Sequence, residues 1–323
     1  MQKILTAFTT ASVSLLSAAL GAYSPAAHAG EEIFGYSYLA ETLPAGAKEV
    51  ENWTTYREKK SAGTYRLWQN RTEIEYGITN KWQLSLYLNA YSVTAQNNNS
   101  AASRRNYAAV GDGDEVTGGG PVTFGPYVPA LDRLPLPSSR YTDHGFESVS
   151  VESIYRFLSP YEDPIGLAGY VEVTHGSNTT ELELKGIVQK NYLDDKLIFA
   201  GNVALELENE RWSGIGTEKE LTLEFSGGAS YRFAPHWRVG LEGRNERSYR
   251  GHSLSNGNRD YSAWFAGPTL SYADKGWFAT LTYLEQLPMA RAYSDAARVE
   301  LVDDRVYKST ERRNVRLKVG YAF

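Results

Sequence analysis

Two residues with the right types and spacing for covalent chemistry, His175 and Ser177, stand two positions apart. A serine hydroxyl becomes a nucleophile for acyl transfer when an imidazole within hydrogen-bond reach takes its proton and a third group orients the ring. Glu181 and Glu183 are two carboxylates that follow closely in the sequence. Strand alternation, however, predicts that both face away from the His175 side of the chain. The sequence pattern therefore offers no group that could orient the imidazole of His175.

The segment 173–178, Val-Thr-His-Gly-Ser-Asn, resembles the His-x-Ser-Asn element of outer-membrane phospholipases and lipid A deacylases. This resemblance implies an acyl hydrolase that works at the outer surface of a β-barrel. In those enzymes an Asn follows later in the chain, at a place that Gln189 occupies here. Gly176 and Asn178 are also ordinary turn residues. A hydrolase using Ser177 and His175 is therefore kept as an alternative.

Charged residues recur at alternate positions of several candidate strands, opposite the apolar stripes. Since alternate side chains of a strand point to opposite faces, these charges are expected to line one enclosed interior. Acidic residues would face basic ones across it, and such opposed charges could orient polar solutes in a narrow channel. Equally, they could pair and fill the interior. The predicted lining charges are Glu152, Glu172, Glu181, Glu183, Glu206, Glu208, Arg232, Arg238, Arg244, Arg316 and Lys318.

The segment 96–144 is rich in Asn, Gly and Pro and shows no hydrophobic period. Such length without periodicity indicates a functional loop or a segment folded into the mouth of the structure. Its Asp112, Asp114 and Glu115 offer oxygen ligands, but the spacing lacks the bidentate ligand of known calcium loops. The scattered histidines form no metal-ligand spacing either. We therefore predict no metal site and no cofactor.

The last nine residues, 315–323, alternate large apolar with polar or small side chains and end on an aromatic residue. Val319, Tyr321 and Phe323 share the apolar face, which would contact lipid, while the basic residues lie on the other. This ending resembles the C-terminal recognition signal of Gram-negative outer-membrane β-barrels. The resemblance implies the barrel-assembly machinery as a partner.

An export signal is predicted at the other end of the chain. Lys3 precedes an apolar stretch from Ile4 to Ala22, and residues 27–29 give a small-x-small cleavage site. Residues 1–29 are therefore expected to be removed. Beyond them no run approaches the roughly 20 apolar residues that a spanning helix requires. Any membrane-spanning structure must then be a closed barrel, which satisfies its backbone internally.

Runs with a period of two, bounded by turn residues, predict about twelve strands. Alternate connections are short, as expected for periplasmic turns opposite longer outer loops. Aromatic rings near the other, longer connections, including Tyr249 and Tyr261, are candidates for an outer aromatic girdle. Pro268 lies inside a predicted strand and therefore predicts a bulge or a local change of register. The runs lie near 47–58, 64–77, 82–95, 145–158, 165–175, 179–192, 196–209, 217–233, 237–249, 260–273, 276–290 and 305–323.

The composition excludes several classes of protein. There is no Cys, so neither a disulfide framework nor a thiolate metal site is available. The formal charge of −5 becomes −6 once the single Lys of the signal is removed, and this mild acidity argues against nucleic acid as a partner. A soluble β-sandwich is the alternative fold, but it gives no reason to collect rings at both strand ends or to sort connections by length.

The segments 43–51, 71–79 and 182–190 resemble a poorly characterised family of exported barrels. That family is related to phenol-degradation-type and generic outer-membrane transporters. The resemblance implies a barrel with a transport role and supplies no catalytic residues.

Together these patterns predict an all-β protein, a transmembrane antiparallel barrel over residues 30–323 in the outer membrane of a Gram-negative bacterium. The expected function is a passive or weakly selective channel for small polar or amphipathic solutes. Its expected surroundings are outer-membrane lipid and lipopolysaccharide. Besides the hydrolase, a non-conducting structural or adhesive barrel is the remaining alternative.

Overall fold

The computed structural model describes residues 33–60, 63–96, 140–212, 216–298, 301, 305–308 and 310–323. The predicted signal peptide 1–29 lies outside the described residues, and so do Asp112, Asp114, Glu115 and most of the predicted loop 96–144. Within the described part, no helix has the length and apolar character needed to cross a bilayer.

Twelve strands close into one antiparallel barrel, as predicted. Each strand pairs with its neighbour in sequence, and β13 completes the circle by pairing with both β1 and β11. The two-residue β12 only adds to the edge of β10. The elements are β1 (Lys48–Glu58), β2 (Thr64–Thr79), β3 (Trp82–Gln96), β4 (Arg140–Leu158), β5 (Gly166–Gly176), β6 (Thr179–Tyr192), β7 (Leu197–Trp212), β8 (Gly216–Ala234), β9 (Trp237–Arg250), β10 (Arg259–Asp274), β11 (Trp277–Gln286), β12 (Arg291–Ala292), α1 (Asp295–Arg298) and β13 (Arg313–Ala322).

Alternation of side chains sorts the barrel into an apolar outside and a polar inside. Every second residue of β1, from Glu49 to Arg57, is buried, and those between them are half-buried. On the outside, large apolar side chains such as Leu241 and Val151 stay 68% and 53% exposed. A closed sheet whose outer face carries mainly apolar side chains is the expected form of a barrel surrounded by lipid.

The two ends of the barrel differ. The connections β2–β3, β4–β5, β6–β7, β8–β9 and β10–β11 are short and lie at one end, together with the start of β1 and the end of β13. We call this the turn end and the opposite one the loop end. At the turn end Phe323 is held by two main-chain hydrogen bonds with Lys48, of 2.8 and 3.2 Å. The chain terminus is therefore fixed in the barrel wall rather than frayed.

Three predicted strand boundaries are wrong near the loop end. β4 begins at Arg140 rather than near 145, so residues 140–144 of the predicted loop are strand, while β11 ends at Gln286 rather than near 290 and β13 begins at Arg313 rather than near 305. Between β11 and β13 the main-chain N–H of Tyr307 donates a hydrogen bond of 2.5 Å to Gln286 Oε1. Tyr307 stacks on Tyr261 with ring centroids 4.1 Å apart. Of the described apolar residues between β11 and β13, Ala290, Ala297, Val306 and Tyr307 are buried, whereas Met289 and Tyr293 stay exposed.

The prediction of an outer aromatic girdle fails at two positions. Tyr261 and Tyr249 are buried, not exposed on the outer face. A register shift in β10 between Arg259 and Tyr261 interrupts the alternation there. At the turn end, rings do pair across strands, as in Trp277 with Tyr321, whose centroids lie 4.6 Å apart.

Pro268 causes no bulge. It stays in continuous register with Leu241 of β9, while the ladder to β11 breaks off at Ala266 and resumes at Thr269 without a shift. A Cβ at Gly267 would lie 1.8 Å from the carbonyl oxygen of Tyr283. Glycine therefore permits a close approach of the two strands beside the residue that cannot donate a ladder hydrogen bond.

Candidate functional site: the barrel interior

Ten of the eleven predicted lining charges are buried in the structure. The exception is Arg232, which is only half-buried and donates a hydrogen bond of 3.1 Å from Nη2 to the carbonyl oxygen of Asp194. Arg232 therefore holds the β6–β7 turn at the turn end and does not line the interior.

The central ion pair of the interior joins β2 to β5. Arg71 Nη2 lies 2.7 Å from Glu172 Oε2, and both side chains are 2% exposed. The guanidinium also stacks on Tyr87, with Cζ 3.4 Å from the ring centroid. Arg71 was not among the predicted lining charges, although it shares a strand face with the inward-facing Glu73. The alternation of inward and outward positions along β2 is enough to predict that Arg71 faces inward.

Other charges also pair with close neighbours. Arg244 Nη1 lies 3.2 Å from Glu224 Oε2 on the adjacent strand, and Lys185 Nζ lies 3.1 Å from Glu183 Oε1 on its own strand. The close pairs offset part of the lost hydration of the charges that they join.

Acidic side chains still occupy the inward face of β4 to β7, where Glu152 lies opposite Glu172, Glu172 opposite Glu183 and Glu183 opposite Glu206. The predicted cations Arg238, Arg244, Arg316 and Lys318 lie on β9 and β13, so the expected separation of acid and base is found in part.

The interior also holds a chain segment that was not predicted from the sequence. Residues 33–43, which we call the lumen segment, run inside the barrel before β1 begins. Every residue of this segment except Glu41 is buried. Phe34 and Ile33 pack against Ile198 and Ala200 of β7. The interior of the described barrel is therefore filled by chain as well as by side chains from the wall.

The wall holds the lumen segment through side chains. Glu242 of β9 accepts three main-chain N–H groups, from Gly35 at 3.0 Å, Tyr36 at 2.7 Å and Ser37 at 2.5 Å. Asn202 of β7 accepts the N–H of Tyr38 at 2.7 Å and donates to its carbonyl oxygen at 3.0 Å. One carboxylate and one amide thus replace the ladder partners that this backbone would otherwise need.

Two more amides complete the attachment toward the turn end. Gln189 Oε1 accepts the N–H of Ala40 at 2.9 Å, and Gln83 Oε1 accepts the N–H of Leu43 at 2.9 Å. Arg316 Nη1 donates to the carbonyl oxygen of Gly35 at 2.9 Å. The anchors thus come from β3, β6, β7, β9 and β13, on several sides of the barrel.

Cations of the wall stack on the two tyrosines of the lumen segment. Arg316 Cζ lies 4.0 Å from the ring centroid of Tyr36, and Lys185 Nζ lies 3.9 Å from that of Tyr38. Such contacts are worth about 2 kcal/mol when they are shielded from water. The predicted lining cation Arg316 therefore binds this segment.

A second group of buried charges lies at the loop end. Arg57 Nη1 and Lys60 Nζ lie 3.9 and 3.8 Å from the carboxylate oxygens of Glu311. Burial lowers the pKa of the Lys60 ammonium, and the nearby Glu311 carboxylate opposes that shift. Glu311, from the connection between β11 and β13, thus joins the end of β1 at the loop end.

The candidate catalytic pair is not assembled in this structure. His175 Nδ1 lies 3.3 Å from Thr180 Oγ1, and the Ser177 hydroxyl donates to Asn178 Oδ1 at 3.3 Å. Both side chains are exposed, His175 near the end of β5 and Ser177 in the β5–β6 connection. No hydrogen bond joins Ser177 to His175 among the described residues, so the geometry gives the hydrolase prediction no support.

Similar solved structures are outer-membrane barrels. The COG4313 outer membrane channel from Pseudomonas putida F1 is 11% identical, with 88% of this chain and 98% of that chain covered and a TM-score of 0.54. The NanC porin is 11% identical over 84% and 98% of the two chains, with a TM-score of 0.47. The KdgM porin is 12% identical over 85% and 99%, with a TM-score of 0.43.

At such identities the likeness to the COG4313 channel shows a shared barrel fold and no more. The relationship to phenol-degradation-type barrels stays a prediction. A search of curated proteins finds no matching sequence. A family profile described as "Family of unknown function (DUF6662)" matches residues 26–323, and the chain belongs to that family.

Proposed function

We propose that this protein is an outer-membrane channel for small polar or amphipathic solutes, and that the lumen segment closes it at rest. The signal peptide and the C-terminal strand are the sequence features that support export to the outer membrane of a Gram-negative bacterium. The barrel fold supports passage through a lumen. The solute is one small enough for a twelve-stranded barrel, which is narrower than the sixteen-stranded porins that hold an open aqueous channel.

One observation carries the proposal: the lumen segment is attached to the wall by side chains and not by a strand ladder. The ladder from β1 through β11 to β13 closes without it. Six of its main-chain N–H groups donate to Glu242, Asn202, Gln189 and Gln83. The segment can therefore leave while every hydrogen bond between strands stays intact, and the polar anchors left behind are groups that water can solvate.

The lining that would then face the solute is polar. Glu242, Asn202 and Gln189 are each buried against the lumen segment and would become the inner surface of the opened path. Side chains of this kind replace part of the hydration shell of a polar solute, whereas a purely apolar lining would exclude it.

Glu242 provides the first test, because it holds three main-chain N–H groups at the deepest part of the lumen segment. We expect Glu242→Ala to raise the ratio of open to closed channel at least tenfold in planar bilayers. Hydrogen bonds to a charged group contribute about 1.5–3 kcal/mol, and about 1.4 kcal/mol corresponds to a tenfold change. The measurement is the open probability of single purified molecules.

Glu220→Ala is the matched control. Glu220 is also a buried glutamate of the wall, but it accepts its hydrogen bond from Ser248 at 2.5 Å and not from the lumen segment. Its open probability should stay close to that of the unmodified protein. Equal currents from both variants and the unmodified chain would contradict the proposal.

A barrel that never conducts is the competing function, and the packed interior is the observation that favours it. Such a barrel would stay silent after either substitution. The same recordings therefore decide between the two functions.

A further inference from the structure

A shallow groove crosses the outer face of the barrel over β4, β5 and β6. Gly169 of β5 lies directly opposite both Tyr155 of β4 and Gly186 of β6. Both glycines stand at positions where the alternation of the strand points outward, so two neighbouring strands carry no side chain there. We call this feature the outer groove. Its other lining residues on the outer face are Ser153, Phe157, Val171 and Leu184.

The outer groove is open space. A Cβ built on Gly186 would have no described atom within 4 Å other than those of its chain neighbours. Beside it, the ring of Phe157 leans over Gly169, with Cε2 3.2 Å from a Cβ built there. The groove holds about 340 Å³, which falls within the range of about 300–1,000 Å³ for small-molecule sites. A bare floor and an aromatic wall therefore leave room for a ligand.

The walls of the outer groove are apolar and face lipid. Tyr155, Phe157, Val171 and Leu184 are all exposed, and the rings of Tyr155 and Phe157 pack with centroids 5.1 Å apart. In a bilayer this surface meets hydrocarbon. A groove that stays unfilled forfeits dispersion contacts along its floor and walls. A flexible chain of methylene groups can follow such a groove, so a lipid acyl chain is the ligand that its shape and chemistry fit.

A cation stands on the turn-end side of the outer groove. Lys190 follows Gly186 on the outward stripe of β6, four residues nearer the turn end, which is about 14 Å along the strand. Its ammonium donates to the carbonyl oxygen of Pro164 in the β4–β5 connection and lies 5.7 Å from the ring centroid of Tyr192. Tyrosine and lysine side chains are common anchors at the level where lipid headgroups meet hydrocarbon.

Lys190 can bind an anion in this position. An ammonium has three N–H groups, so the bond to Pro164 leaves donors for a second partner. Two carboxylates of the adjoining turns accept hydrogen bonds within the protein: Asp163 accepts a main-chain N–H at 2.8 Å, and Asp195 accepts a side-chain amide N–H at 2.9 Å. A phosphate is an anion that a lysine binds well.

We propose that the outer groove binds an anionic phospholipid, with one acyl chain along Gly169 and Gly186 and the phosphate at Lys190. The two parts of the site match the two parts of this ligand. Short connections lie at the periplasmic end of such barrels, so Lys190 stands at the leaflet made of phospholipid and not at the lipopolysaccharide leaflet. The inference rests on the outer-membrane location proposed above and not on conduction.

The test uses the full mature chain in detergent, with phosphatidylglycerol as the probe. Native mass spectrometry at increasing lipid concentration gives the affinity of the first bound lipid. Gly186→Leu fills the outer groove and should weaken this binding at least tenfold. Ala279→Leu, at an outward-facing position of β11, adds the same side chain elsewhere on the lipid-facing surface and should leave the binding unchanged.

A second lipid tests Lys190 separately. Phosphatidylcholine with the same acyl chains carries no net charge. Because an exposed ion pair is weak, the unmodified chain should bind phosphatidylcholine only about threefold more weakly than phosphatidylglycerol. Lys190→Gln should abolish this preference by weakening the binding of phosphatidylglycerol, while the acyl chain still occupies the outer groove.

Thermal unfolding distinguishes a loss of binding from damage to the fold. Phosphatidylglycerol should raise the melting temperature of the unmodified chain, since a ligand of the folded state stabilises it. In detergent alone the Gly186→Leu variant should melt no lower than the unmodified chain, because its side chain enters open space. Added phosphatidylglycerol should then raise the melting temperature of this variant less.

Three results would overturn the proposal. One is binding that Gly186→Leu weakens no more than Ala279→Leu does, which would indicate lipid distributed over the whole outer face. Another is equal affinity of the unmodified chain for the two lipids, and the third is a melting temperature that phosphatidylglycerol does not raise. Because these variants leave the lumen segment and Glu242 unchanged, the lipid measurements and the Glu242→Ala recordings fail separately.

Discussion

A chain that lacks residues 33–43 should fold into the same barrel and conduct steadily, with no closed resting state. The lumen segment contributes no strand to the ladder, whereas it supplies the main chain that fills the centre of the interior. Its removal exposes polar groups of the wall, among them Glu242 and Asn202, and water should enter a cavity lined in this way. The change from silence to sustained current is the largest effect that the structure predicts.

Two measurements make this deletion decisive. Planar bilayers report the current, and swelling of protein-loaded liposomes in small sugars reports passage of uncharged solutes. A second variant, in which a Gly-Ser stretch of equal length replaces residues 33–43, controls for chain length and should also conduct. Circular dichroism must show an unchanged strand signal in both variants. A correctly folded deletion variant that stays silent would contradict the role of the segment as a closure.

Arg71→Ala should produce the largest loss of stability among single changes in the wall. It removes the partner of Glu172 at 2.7 Å in a site where both side chains are buried. Breaking a buried ion pair from one side costs about 3–5 kcal/mol, because an uncompensated charge is left in the interior. The stacking of Arg71 on Tyr87 is lost as well. Urea unfolding of the barrel in lipid vesicles measures the change in the free energy of unfolding.

A double-mutant cycle separates the ion pair from the packing. Glu172→Gln in the Arg71→Ala background should recover part of the lost stability, since no charge is then left without its partner. Arg66→Ala, at an exposed position of the same strand, should stay within about 0.5 kcal/mol of the unmodified protein. If Arg71→Ala were as mild as Arg66→Ala, the pair would not stabilise the interior.

The barrel could be predicted from sequence because its signal is repeated in every strand. Alternation, short turns at one end and the final aromatic residue each point to the same closed sheet. The boundaries near residues 286 and 313 could not be read in this way. There, some apolar residues of a loop are buried and others exposed, and a short apolar stretch does not reveal which surface it covers.

The lumen segment was missed for a related reason. Residues 33–40 form an uncharged, aromatic-rich run between the predicted cleavage site and the first strand. That run was the available signal, since an export signal ends before it and no strand begins within it. What holds it is not visible in its own sequence, because its anchors Glu242, Asn202 and Gln189 stand about 150 to 207 positions further along the chain.

Strand parity predicts which charges face inward but not which partners they have. Of the residues predicted to face inward, Glu172, Arg244 and Lys318 have buried side chains. It could not show that Arg71 of β2 reaches Glu172 of β5, because a pair between strands that are not neighbours depends on the curvature of the closed wall. Nor did parity reveal that Glu49 and Glu75 meet at the turn end, which needs the exact register of β1 with β2.

The central claim is that movement of the lumen segment opens the barrel, and a reversible tether tests it most directly. The chain has no cysteine, and a Cβ built on Gly35 would lie 2.6 Å from Cβ of Thr282 on β11. A shift of about 1 Å would bring these positions to the usual disulfide separation of about 3.8 Å. The Gly35→Cys/Thr282→Cys pair, in the Glu242→Ala background, should be closed when oxidised and conduct after reduction. Equal current in both redox states, with the disulfide verified by mass spectrometry, would contradict the claim.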